Sequence, residues 1–119
     1  MDPETAVLIC EGLLRACEAK AVLIVDRRAS EIAHAGDSAG LDLAALASLA
    51  DEGGVVFRPA AAVGGLAGEH VFACVVVQQA VLAVLFDDIS KLGLVRTRVK
   101  QASAELATAQ PRRRATYLN

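Results

Sequence analysis

The sequence predicts an α/β fold: an α/β/α sandwich with a central antiparallel five-stranded sheet, two helices on one face and one on the other. Three observations carry that prediction. Glu69 to Val77 and Ala80 to Asp87 are apolar at nearly every position, with Phe72, Cys74 and Val76 on one face and Val71, Ala73, Val75 and Val77 on the other; such strands need cover on both sides. The first and last helical segments each carry a single apolar stripe, which suits packing side by side on one face. The middle segment, Leu43 to about Glu52, has only Ser48 polar between Asp42 and Asp51 and is left for the other face.

Taken in order, the first helix starts with Asp2 as N-cap, Pro3 at the first helical position and Glu4 near the positive end of the dipole. Val7, Cys10, Leu14 and Cys17 recur at helical spacing, while Glu4, Glu11, Arg15 and Glu18 fall opposite and Glu11 to Arg15 is a favourable i,i+4 pair. Ala21 to Val25 and Glu31 to Ala35 read as a strand hairpin with a tight connection at Asp26 to Ser30. Asp42 caps the second helix, and Gly53-Gly54 stops it. Val55-Val56-Phe57 restarts β character before Pro59, which suits a sheet edge; helix running through Ala60 to Val63 is the competing reading.

The two long strands join across Gln78-Gln79 as a hairpin at the sheet centre. The final helix follows Ser90 as N-cap and places Leu92, Val95, Val99, Ala102 and Leu106 at steps of three and four. Pro111 ends it, so residues 1–110 form the domain and the basic stretch 111–119 a mobile, disordered tail.

A chain of 119 residues, 55% hydrophobic, fits one domain with a core. The acidic start Met1-Asp2-Pro3-Glu4 is unlike a secretory leader, and Val71 to Phe86, broken by Gln78-Gln79, is too short to span a bilayer. Cys10, Cys17 and Cys74 are odd in number with no CxxC spacing and read as reduced core thiols, which points to the cytoplasm. Residues 1–87 carry 12 acids and 5 bases, and 88–119 carry 2 acids and 7 bases, for a net −2. The basic last helix lacks aromatic neighbours for base stacking, so it reads as a solvated face with no nucleic-acid partner.

A helix is about 10 Å across, whereas five strands about 4.8 Å apart span roughly twice that, so one helix leaves part of its face bare in a monomer. A second subunit is the simplest cover, with the second helix beside its mate.

No residue pattern argues for catalysis, a cofactor or a metal. Gly64-Gly65-Leu66-Ala67-Gly68 lacks the Lys-Ser/Thr ending of a phosphate loop and reads as a connection. Asp87-Asp88 precedes a helix, where acids favour the N-terminus. His34 and His70 have no third ligand at suggestive spacing. Arg58 is the one base in mid-chain; a solvated strand-end arginine is favoured over an arginine finger acting in trans.

The element order, with Leu41-Asp42-Leu43-Ala44-Ala45-Leu46-Ala47-Ser48-Leu49-Ala50 early and Leu85-Phe86-Asp87-Asp88-Ile89-Ser90-Lys91-Leu92-Gly93-Leu94-Val95-Arg96-Thr97-Arg98-Val99-Lys100 late, resembles the Roadblock family, and in particular its bacterial MglB-like branch, over about residues 3–108. The resemblance implies the Roadblock/profilin-like version of the sandwich and a homodimer whose third strands pair, with the second helices adjacent. It further implies a Ras-like small GTPase of the MglA type as partner, held on that face and driven to hydrolyse GTP without a donated arginine, in cell polarity or gliding motility. Leu43, Leu46, Ala47, Ala50, Val55, Val56 and Phe57 would then form the dimer or GTPase interface. A dimeric adaptor with no effect on GTP turnover and a small-ligand sensor are the alternatives. Ala29 stands where the family usually has glycine; if that site needs a positive φ, the strain costs roughly 1 kcal/mol.

Overall fold

The structure, a computed structural model, describes residues 2–118, with side chains described through residue 108. Helix α1 spans Pro3–Cys17 and is closed by Glu18 in the left-handed conformation, whose N–H donates to Arg15 O. Strands β1 (Ala21–Val25) and β2 (Glu31–Gly36) follow, then α2 (Leu43–Ser48), a 3₁₀ turn Leu49–Glu52, β3 (Val55–Pro59) and a second 3₁₀ turn Ala60–Val63. Strands β4 (His70–Val75) and β5 (Val81–Phe86), a short turn Ile89–Lys91 and α3 (Leu92–Leu118) complete the order. The strands form one antiparallel sheet, β2-β1-β5-β4-β3.

Both readings of residues 55–63 hold in sequence: β3 runs to Pro59, and the next four residues coil into a 3₁₀ turn. β3 is an edge strand, where the missing N–H of Pro59 leaves no ladder bond unmade. The β4–β5 hairpin turns at Gln78 and Gln79, both at positive φ, with Ala80 N donating to Val77 O. This is a type I′ turn built without glycine, tolerated because its twist matches that of the strands it joins.

Alternation along the strands divides the core into two layers. Val22, Ile24, Phe72, Leu82, Val84 and Phe86 face α1 and α3; Leu23, Val25, Val71, Ala73, Val81 and Leu85 face α2. The α3 stripe Val95, Val99, Ala102 and Leu106 is buried, as its spacing predicts. The α1 stripe is rotated from the expected one: Ala6, Ile9, Cys10, Leu13 and Cys17 are buried, while Val7 is exposed and Leu14 half-buried. Small Ala6 lets α1 lie close to its neighbours, and the stripe tilts toward it. Val77 packs on the α1 and α3 side and not with Val71, because the strand ends at Val75 and the chain turns there.

The sheet face expected to stay bare in part is covered over its central strands, where Leu23, Val25, Val71, Ala73, Val81 and Leu85 are buried and the 3₁₀ turns carrying Leu49, Ala60 and Val63 extend the roof that α2 begins. Toward the edges of the same face His34 and Arg58 are exposed and Val75 is half-buried. The large exposed apolar side chains of the sheet itself are Val55 and Phe57 on the β3 edge.

Two helix ends also differ from expectation. Asp88, not Ser90, caps the last helical segment: its carboxylate accepts from Ser90 N at 3.0 Å and Ser90 Oγ at 2.7 Å. α3 continues past Pro111 to Leu118. A proline removes one N–H and crowds the preceding turn, at about 3 kcal/mol, yet the helix-favouring Arg112-Arg113-Arg114-Ala115 follows it. The side chains of the expected tail, and Asn119 altogether, lie outside the described residues.

Candidate interaction surface

β3 exposes its apolar side chains. Val55 is 62% and Phe57 37% exposed, on the side of the sheet that α3 covers only in part. The Phe57 ring stacks on Phe86 with centroids 6.3 Å apart and lies 5.7 Å from His70, so its orientation is set from beneath. Gly54 O accepts from Val75 N, and Ala60 N donates to Glu69 O. With the register Val55↔Cys74 to Pro59↔His70, the antiparallel pattern directs the backbone N–H and C=O groups of Val55 and Phe57 away from β4, toward the open edge. Arg58 lies along that edge, donating to Phe57 O at 3.0 Å and pairing with Glu52. This is a strand-end arginine, solvated and paired.

The α2 surface is shaped by its cap. Asp42 accepts from Ala45 N at 3.1 Å and starts the helix. Six residues later the chain tightens into the 3₁₀ turn, and Gly53 and Gly54, at φ +68 and +65, carry it into β3. Of the seven positions singled out from the sequence, Leu46 and Val56 are core residues that back the surface and do not form it. Leu43, Ala47 and Ala50 are half-buried, and Val55 and Phe57 are the exposed members. Ala44 and Ser48 are the fully outward α2 positions. Arg27 and Arg28 border the outer side of α2. Sequence alone marked them only as turn residues; two adjacent arginines within an acidic stretch were the signal available.

The remaining candidates have structural roles. A side chain on Gly64, at φ +88, would meet Gly40 O at 2.6 Å, and one on Gly65 would meet the Ala60 Cβ at 2.7 Å, so close packing accounts for these glycines. Glu69 accepts from Lys20 Nζ at 2.7 Å and from Leu66 N at 3.1 Å, fastening that loop to the start of β1. The Lys20 hydrogen bond holds the Glu69 carboxyl below the ordinary carboxylate range, and Lys20 is raised by the same bond. His34 Nδ1 lies 2.8 Å from Glu31.

Cys10, Cys17 and Cys74 are buried free thiols, and desolvation pushes Cys10 up to about 12 and Cys74 to about 11. They are thus protonated and unreactive near neutral pH. Among the described residues no three potential ligands gather to hold a metal, and no helix is long and apolar enough to cross a membrane.

No family model matches the chain, and no curated protein matches it. Solved structures do. Myxococcus xanthus MglB is 29% identical, with 88% of this chain and 86% of that one covered at a TM-score of 0.68. The gliding protein MglB of Thermus thermophilus is 23% identical, with 90% of each chain covered at 0.66. An MglB with a tetrameric arrangement is 23% identical, covering 90% and 89% at 0.64.

Proposed function

We propose that this chain, which has the fold of the MglB-like branch of the Roadblock family, is a non-enzymatic homodimeric regulator of a bacterial Ras-like GTPase of the MglA type, working in the cytoplasm in cell polarity or gliding motility. The observation that carries the reading is the β3 edge: an open strand that turns two large apolar side chains and its unladdered backbone groups to the outside. An edge of this kind is a template for pairing.

The register that uses these groups pairs Val55 of each protomer with Phe57 of the other, about a two-fold axis at Val56. Four backbone hydrogen bonds then close the edge. The exposed Val55 meets the partner's Phe57 on the α3 side, a favourable cross-strand pair of β-branched and aromatic residues. In that arrangement the two α2 helices lie on the same face of a continuous sheet, and their small outward side chains let a third protein approach closely. Regulation follows from surface complementarity that favours one switch conformation of the GTPase.

GTP turnover by an MglA-type GTPase, measured against increasing concentration of this chain, tests the reading. Turnover is expected to rise and saturate. Unchanged turnover with retained binding selects the adaptor alternative, and absence of binding removes the GTPase from the account.

A further inference from the structure

A groove of about 490 Å³ runs between the outer side of α2 and the tips of the two hairpins at one end of the sheet. Arg27 and Arg28 of the β1–β2 turn form one wall, Ala47 and Ser48 belong to the α2 side, and Gln79 comes from the β4–β5 turn. The arginine wall is rigidly built. Asp26 N donates to Ser30 O at 2.9 Å, Ala29 N donates to Asp26 O at 3.0 Å, and the Asp26 carboxylate accepts from Arg28 N and Ser30 N, both at 2.9 Å. Ala29 is held at φ +64, a left-handed conformation that disfavours alanine, so the surrounding bonds over-determine the turn.

Charge marks the same place. Residues 1–87 carry 5 bases against 12 acids. Lys20 and Arg58 are paired with Glu69 and Glu52, whereas Arg15 on α1 and the adjacent Arg27 and Arg28 enter no salt bridge among the described residues, and of these only Arg27 and Arg28 stand side by side. Asp26 is nearest in sequence, but its carboxylate is occupied by backbone N–H groups.

We infer that this groove takes a carboxylate-bearing segment of a protein partner, its Asp or Glu side chains held by Arg27 and Arg28 and its backbone lying over the small side chains of α2. The inference deepens the GTPase-regulator reading and rests on it for the identity of the partner. Guanidinium groups match carboxylates in paired hydrogen bonds, and a pre-formed turn loses little freedom when it binds. Exposed Asp51 lies on the same groove and offsets part of the arginine charge, so the groove suits a segment with one or two carboxylates and not a long polyanion such as nucleic acid or an anionic membrane. Arg27 and Arg28 belong to the β1–β2 turn, at the opposite side of the strand order from β3, so pairing through β3 does not use them.

Three titrations of the full chain and of Arg27→Ala/Arg28→Ala test this: the Ras-like GTPase of the turnover assay, at low and high salt; a short poly-glutamate peptide followed by amide chemical shifts; and inorganic phosphate. The variant is expected to keep its thermal unfolding and its dimer mass. Its affinity for the GTPase is expected to fall about tenfold or more with a flatter salt dependence. The peptide is expected to shift the amides of Arg27, Arg28, Ala47 and Gln79 in the wild type alone. GTPase binding by the variant with wild-type affinity and salt dependence overturns the inference and leaves the regulator reading standing. Phosphate reproducing the peptide shifts overturns it too, as a simple anion site. Peptide shifts in the groove without any GTPase binding support the acidic-segment site and remove the GTPase, while no response to either probe removes both.

Discussion

At one edge of the sheet β2 turns Glu31 and His34 outward, held to each other at 2.8 Å, while at the other edge β3 turns out Val55 and Phe57. The two strands are of similar length and each is laddered on one side only. Charge on an edge discourages pairing, and exposed apolar side chains invite it. The difference gives the molecule a direction: one edge discourages continuation of the sheet and the other, on the proposed reading, is where it continues.

The contrast between the edges breaks most sharply at Phe57. Phe57→Asp would bury a carboxylate without a partner in the paired state, a cost of about 3 kcal/mol or more. Each dimer carries two such carboxylates, so sedimentation equilibrium is expected to show a dimer dissociation constant raised by about four orders of magnitude, while His34→Asp at the opposite edge leaves the mass unchanged. The converse change, Glu31→Val with His34→Val, makes the closed edge resemble the open one. Light scattering is then expected to detect species larger than a dimer.

A smaller effect is expected at Arg58, which donates to the Phe57 carbonyl that a strand pairing on this edge would use. Arg58→Ala frees it, and since exposed ion pairs contribute about 0–1 kcal/mol, dimerisation should tighten by no more than a few-fold in sedimentation. Glu69 has its carboxyl held below the ordinary range by Lys20, so this bond stabilises the fold above the unfolded-state carboxylate pKa, and that contribution is lost as pH falls through the folded one. Lys20→Met should flatten the acid limb of a stability profile measured by urea unfolding, leaving the edges and the dimer mass as they are.

Much of the fold was legible because its signals are periodic. The α3 stripe and the two-faced strands β4 and β5 repeat often enough to be read, and Pro59 marked an edge by the bond it cannot make. What escaped has no period. The 3₁₀ turns at Leu49–Glu52 and Ala60–Val63 are four residues long, yet they extend the roof over the central strands of the α2 layer beyond what a count of helices provides. The α1 stripe was misplaced because Ala6 is small enough to be passed over beside Val7.

The surface was legible in part for a related reason. Composition shows that α2 is apolar all round, but which of Leu43, Leu46 and Ala47 points outward depends on the angle at which the helix meets the sheet. Val55 and Phe57 were legible as strand residues; their exposure follows from the strand order, which only tertiary structure supplies. Arg27 and Arg28 lay in plain view; that neither enters a salt bridge among the described residues was not.

Amide hydrogen exchange at Val55 and Phe57, followed over a dilution series of the wild-type chain, puts the continued edge to the most direct test. Both amides are expected to be protected when the chain is concentrated and to lose protection together on dilution, with the Val56 amide, laddered to β4, unchanged. Free exchange at Val55 and Phe57 in concentrated solution would contradict the account.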